Sequence, residues 1–324
     1  MGEEKGKNRV IVTDVTLREY GQNIPSDYLH LFTPKIREDI VRRLIKAGFT
    51  QLEVFSCVHP KIAPAMEKPI LMEIAGALGR LGNVHLITLV PNKSGYENFL
   101  AMNLGPDGYH HTMGVFFSAI EAHNRANLGR SIQETVREYK PIIQEARSGK
   151  TRVVGYVSAA FGYREPGRGE ILKPDLEDLT EYIHWYFDLG VETVTLSDLQ
   201  GVATEEETAG ILDGLLNRLK GRYVEKLGYH PHHVSAAKAI ANTKIAYDLG
   251  IRRFDASLGG TGGCVTGAPG NQPTETLVFA LNQWGAQTGI DEGAVNALAD
   301  KVQRELYAKI PISQQRPLNP KATH

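Results

Sequence analysis

The chain has 324 residues, 42% of them hydrophobic and 23% charged, which is enough for one large domain or two small ones with a substantial core. Its formal net charge of -1, with both signs interspersed, excludes the basic stripe of a nucleic-acid binder and the polybasic face of a membrane-surface protein. No run approaches the about 18 apolar residues of a membrane span, the start MGEEKGKNRV is charged, and two cysteines are too few for a disulfide framework, a combination expected of a cytoplasmic protein.

From Val10 onward, short β-rich runs alternate with longer amphipathic ones. Strands are expected at 9–14, 51–55, 84–89, 108–117, 151–158, 191–197, 224–230 and 251–257. Helices are expected at 33–48, 131–149, 174–190, 204–221 and 235–250. Thr33-Pro34 and Lys173-Pro174 provide helix entries, and Gly48, Gly149, Gly190, Gly221 and Gly250 provide exits. Eight βα units in about 275 residues predict a (β/α)8 TIM barrel. An open doubly wound sheet would more often carry a glycine fingerprint after its first strand, and none stands there. The barrel domain is expected to span 1–285, and 286–324 to form an appendage with a helix over 291–306 and a polar tail. The segment 163–174, rich in glycine and arginine, has the composition of a mobile loop at a site.

In such a barrel the chemistry belongs at the C-terminal ends of the strands. His230 and His232 are two apart, so an extended backbone turns both imidazoles the same way and His233 the other way. This face suits a metal, the alternative being a hydrogen-bonded structural pair; Pro231 between them is acceptable at a strand end. Arg18 and Glu19 follow the first strand, where the carboxylate completes a metal site opposite the histidines or forms a solvated ion pair with its neighbour. Asn271, in APGN, offers a neutral oxygen ligand. Cys264 lies in the glycine loop GGTGGC, where it either approaches substrate or serves as a small inert hydrophobe, and a single bridge between it and Cys57 stays open. Asp198, directly after the sixth strand, reads as a site carboxylate or a buried cap, and Glu53 as a group that orients a neighbouring arginine.

LEVFSCVHPKIAPAM has the form IEV-x-S-x-V-x-PK-x-x-P-x-M, and VVGYVSAAFG, LSDLQGVATEEE, the His-Pro-His pair, GGTGGC and GNQPTE follow in order. Together, from Val10 to Trp284, these motifs resemble the metal-dependent carbon–carbon lyases and synthases built on a TIM barrel, the DRE-TIM or HMGL-like (pyruvate carboxyltransferase) family. Within that family the chain resembles the 3-hydroxy-3-methylglutaryl-CoA lyases, because the related isopropylmalate, homocitrate and citramalate synthases carry a GER-x-GN type of loop in place of the cysteine. The resemblance implies metal ligation by Glu19, His230, His232 and Asn271. It also implies that Arg18 stabilises an enolate oxygen, Glu53 holds Arg18, Asp198 and His230 assist removal of the hydroxyl proton, and Cys264 transfers a proton.

The implied cofactor is a divalent cation, Mg²⁺ or Mn²⁺ first, with Zn²⁺ or Fe²⁺ compatible with two imidazoles. The implied reaction is retro-aldol or retro-Claisen cleavage of a 3-hydroxyacyl-CoA to a keto product and acetyl-CoA, with a free hydroxy acid as the other small-molecule substrate class. A homodimer is an assembly the resemblance allows. Two motifs depart from the family: Arg18-Glu19-Tyr20-Gly21 stands where Arg-Asp-Gly is usual, and His233-Val234 where Asp-Thr is usual. Glu19 is therefore one methylene longer, and the Tyr20 phenol is expected at the barrel mouth. The alternatives are an enzyme that condenses acyl-CoA with a 2-oxo acid, and a barrel that binds a ligand without turnover.

Overall fold

The computed structural model describes residues 8–167, 169–232, 235–262 and 270–310. All eight expected strands form: β1 Ile11–Asp14, β2 Gln51–Ser56, β3 His85–Leu89, β4 Thr112–Ser118, β5 Val153–Ser158, β6 Val194–Asp198, β7 Leu227–Pro231 and β8 Arg253–Ala256. Every neighbouring pair is parallel, and the sheet closes through Ile11 against Arg253 and Thr13 against Gln51. Burial is nearly continuous along β4, β5 and β6, as it must be for a wall covered on both faces. The fold is the (β/α)8 barrel.

Most strands start a few residues later than expected, and for β4 and β7 the local reason is plain. The run before β4 is a turn in which His110 is left-handed at φ 58°. The run before β7 is a 3-10 turn, Val224–Lys226, entered through left-handed Tyr223.

Among the described residues eleven α-helices cover the barrel: α1 Thr16–Asn23, α2 Pro34–Lys46, α3 Lys68–Leu78, α4 Lys93–Ala101, α5 Glu121–Leu128, α6 Ile132–Ser148, α7 Leu176–Asp188, α8 Glu205–Arg218, α9 Ala236–Asp248, α10 Thr274–Gln283 and α11 Glu292–Glu305. Capping boxes start two of them, Ser131 with Glu134 at α6 and Thr204 with Glu207 at α8. The C-terminal α11 packs on the barrel's last and second helices, where Lys301 Nζ lies 2.8 Å from Asp39 Oδ2. None of the described helices is long and apolar enough to cross a membrane.

The segment 163–174 is not the loop expected. Tyr163–Arg164 and Ile171–Leu172 pair as an antiparallel hairpin. Gln200, beyond β6, fastens it: its Oε1 accepts from Arg164 N at 2.7 Å and its Nε2 donates to Arg164 O at 3.2 Å. The composition is polar because the hairpin is short and mostly exposed, yet two bonds from a side chain fix one edge. Arg168 lies outside the described residues.

Candidate active site

The C-terminal mouth is built first by β1. Asp14 at its end accepts from Thr16 N at 3.1 Å and from Thr274 Oγ1 at 2.9 Å, so the chain turns at once into α1. Thr16 Oγ1 accepts from Leu258 N at 2.8 Å and ties this turn to the loop after β8. Arg18 and Glu19 thus stand in the first turn of a helix, where the amide dipoles favour a carboxylate. They are 9% and 3% exposed, which rules out a solvated pair.

Arg18 is held between two carboxylates. Its Nε lies 2.6 Å from Glu53 Oε2 and its Nη2 2.5 Å from the same oxygen, while Nη1 bonds to Glu19 Oε1. Glu53 comes from β2 and is fully buried, so its position after the second strand serves to orient Arg18. Gln22 extends the chain of bonds, donating through Nε2 to Ser56 Oγ at 3.1 Å. Burial works against the charge of Arg18, but Glu19 and Glu53 outweigh it and hold the guanidinium above its usual value. Burial also opposes the charge of Glu19; Arg18, His232 and His230 overcome it and keep this carboxyl below the usual range.

The histidine pair closes the opposite side. His230 and His232 share a face, as their spacing requires, with Nε2 atoms 2.9 Å apart. His230 Nδ1 meets Asp255 Oδ2 of β8 at 3.1 Å, which fixes the tautomer and leaves Nε2 as the basic nitrogen. Against the burial penalty, Asp255 and Glu19 raise the affinity of His230 for a proton. Ligand atoms of Glu19, His230 and His232 all lie within 4.8 Å of one another, and all three residues are buried.

Asn271 joins through a bridge to His232 and is 4% exposed. Its Nδ2 donates to Thr261 O at 2.9 Å, leaving Oδ1 for another partner. Gly262 is wedged between this asparagine and Glu19: an added Cβ would lie 3.0 Å from Asn271 Nδ2 and 2.5 Å from Glu19 Cβ.

This donor set fits a hard or borderline divalent cation: one carboxylate, two imidazoles and an amide oxygen. The charge fits as well. Glu19, Glu53 and Asp255 are buried around the one guanidinium of Arg18; burial raises the carboxyl of Glu53, and the remaining excess of acidic groups favours a bound cation.

Asp198 combines both of its sequence readings. Its oxygens accept from Val202 N at 3.0 Å and Ala203 N at 3.1 Å, folding the loop after β6, and its carbonyl accepts from His232 N at 3.0 Å. Burial nevertheless pushes its carboxyl up to about 6, against those amide bonds. Tyr20 corrects an expectation: its phenol does not enter the mouth. It is 2% exposed and packs inward between Phe32 and Tyr307, at centroid distances of 5.0 and 4.7 Å, because one residue's advance along α1 swings it away from the ligand face. Cys264 and His233 lie outside the described residues. Sequence reasoning passed over Asp255 and Gln22; the signal for the first was an acid inside the buried run RFDA.

The chain matches the HMGL-like family over residues 9–302. It is 29% identical to the hydroxymethylglutaryl-CoA lyase YngG of Bacillus subtilis over 273 residues, 84% of this chain and 86% of that one. It is 30% identical to the (R)-citramalyl-CoA lyase of Chloroflexus aurantiacus over 315 residues, 93% of this chain and 92% of that one. An HMG-CoA lyase from Acinetobacter baumannii, solved in complex with coenzyme A and 3-methylmalate, superposes with a TM-score of 0.80 at 27% identity, covering 93% of this chain and 92% of that one. Motif order, barrel and relatives agree, and the chain belongs to the HMGL-like family.

Proposed function

We propose that this protein is a metal-dependent carbon–carbon lyase that cleaves a 3-hydroxyacyl-CoA thioester at the mouth described above, with Glu19, His230, His232 and Asn271 as the metal ligands. The observation that carries this reading is the buried trio of Glu19, His230 and His232 with its ligand atoms within 4.8 Å, set beside a guanidinium already locked in place. A divalent cation held there supplies Lewis acidity toward a substrate hydroxyl and a neighbouring oxygen.

The protein's own groups carry the proton and the charge. Asp198 is ionised near neutral pH yet basic, with its carboxyl at about 6, and each of its oxygens keeps a lone pair beyond the amide bond it accepts. It takes the hydroxyl proton, and the His230–Asp255 pair assists by offsetting charge beside it. The carbon–carbon bond then breaks, leaving a ketone on one fragment and an enolate thioester on the other. Arg18, fixed by Glu53, faces the developing oxyanion without having to reorganise. Cys264 returns a proton to the enolate carbon to give the acyl-CoA product.

Two substrates deserve direct comparison, because relatives named for 3-hydroxy-3-methylglutaryl-CoA and for (R)-citramalyl-CoA match over most of the chain. The purified protein is incubated with each thioester and with Mg²⁺ or Mn²⁺, and release of acetyl-CoA and of the keto product is followed. One thioester is expected to be cleaved, and His232→Ala to lose both turnover and bound metal. Protein that binds metal but cleaves neither thioester would sink this reading.

A further inference from the structure

The opposite end of the barrel holds a second cavity, about 350 Å³, at the low end of the about 300–1,000 Å³ typical of small-molecule sites. It opens at the N-terminal ends of three adjacent strands. His85 begins β3, His110 and His111 precede β4, and Lys150 and Arg152 precede β5, while Arg80 follows α3. These six residues line it, and among the described residues no carboxylate does. A one-signed concavity in a chain of net charge -1 is a focused field, not a sample of the average surface.

The cations there are not equally engaged. Arg152 Nη2 lies 2.6 Å from Glu192 Oε2, and its Nη1 contacts the His85 ring, so its charge is already answered. Arg80 donates through Nε to Gly108 O and through Nη2 to Asp107 O, both at 3.0 Å, which anchors the guanidinium at the rim and keeps Nη1 for another acceptor. Lys150 has no ion pair among the described residues, and it is held at φ 62°, a left-handed conformation that costs a non-glycine residue about 1 kcal/mol. His110 is left-handed as well.

A fourth group is deeper. His111 is 2% exposed and stacks on Phe55; its Nδ1 lies 2.9 Å from Thr88 Oγ1, and its Nε2 has no hydrogen-bond partner. A buried imidazole nitrogen left in this way carries a penalty of about 1–3 kcal/mol that an arriving ligand removes. In the tautomer in which the Thr88 hydroxyl donates to Nδ1, Nε2 carries the proton and is the donor an anion entering this end of the cavity would meet.

We propose that this cavity binds a small dianion bearing a phosphate group, held by Arg80, Lys150 and His111, at a site separate from the catalytic mouth. Donors from three different segments suit the tetrahedral oxygens of phosphate better than a planar carboxylate, and two cations without an ion pair among the described residues, Arg80 and Lys150, match its two charges.

The test titrates the full-length protein with inorganic phosphate at constant ionic strength, by calorimetry and by the histidine ring signals in NMR. Malonate serves as the carboxylate arm. Phosphate is expected to bind at least about tenfold tighter than malonate and to move the His111 signals, and Arg80→Gln and Lys150→Gln are each expected to weaken it about fivefold or more. Both substitutions are at exposed positions, and unchanged thermal midpoints confirm that the fold is retained. The proposal is overturned by no binding up to tens of millimolar, by equal binding of malonate, or by phosphate affinity that survives the Arg80→Gln, Lys150→Gln double variant, which would place the anion elsewhere.

Discussion

At the scale of single residues, the site depends on a glycine as much as on its ligands. Gly262 is at φ +83°, a region costly to side chains, and an added methyl would lie 2.5 Å from Glu19 Cβ, where no real contact exists. The backbone before the cysteine loop therefore lies flush against the one carboxylate of the proposed metal trio. Gly262→Ala pushes Glu19 off the point it shares with His230 and His232. We expect the metal dissociation constant to rise about tenfold or more, equivalent to about 1.4 kcal/mol, with a parallel loss of turnover. Metal titration of the variant checks this, and unaltered affinity would show that Glu19 is not held from this side.

At the scale of elements, the C-terminal segment after α11 supports the mouth from behind. Tyr307 packs on Tyr20 of α1 and donates to Leu258 O at 3.2 Å, on the loop that leads to Gly262. One aromatic ring thus braces both segments that enclose Glu19. Tyr307→Ala is expected to destabilise by about 3–5 kcal/mol and, in protein that remains folded, to loosen metal binding as well. Tyr307→Phe keeps the ring and should restore metal affinity while losing about 1 kcal/mol of stability with the hydroxyl bond. Loss of stability without any change in metal affinity for Tyr307→Ala would reduce the segment to a lid on the core.

The same scale shows what was legible beforehand. The helices read from sequence, α2, α6, α7, α8, α9 and α11, all begin at a residue whose side chain caps the helix: Thr33, Ser131, Asp175, Thr204, Ser235 and Asp291. Of those missed, α1, α3, α5 and α10 have no side-chain hydrogen bond from the N-cap residue, so the usual Ser/Thr/Asp/Asn entry signal is absent there. The fifth, α4, is capped by Asn92 but is short and carries Gly95 in its first turn. The absence of a cap on α1 hid the fact that Arg18 and Glu19 are helical and buried. Strands were legible because both faces of the wall are apolar. The partners of the histidines were less so, since Asp255 lies one βα unit further on and only the pairing of β8 beside β7 brings it to His230.

At the scale of the whole molecule, closure of the barrel places an acid where it is costly to ionise. Asp14 ends β1, is 2% exposed, and bonds both to the start of α1 and to Thr274 of α10, so it links the first βα unit to the last. Burial pushes its carboxyl up to about 7, although Thr16 and Thr274 work in the other direction. In the unfolded chain the same group titrates near 4. Between these values the folded state holds the proton and the unfolded state does not. This contribution to stability is therefore complete below about pH 4 and is lost as pH rises toward 7, at about 1.4 kcal/mol per unit, on the order of 4 kcal/mol in all. Carboxyls held low by ion pairs, Glu19 and Asp39 among them, act with the opposite sign, so total stability is the wrong observable. The difference between wild type and Asp14→Asn isolates the group, because asparagine keeps an acceptor for Thr16 N and its amide bonds equally well to the Thr274 hydroxyl. Denaturant unfolding from pH 4 to pH 8 should show the variant gaining on the wild type across this window and then running parallel to it. A constant difference from pH 4 upward would mean that Asp14 remains ionised in the fold and that its two hydrogen bonds outweigh its burial.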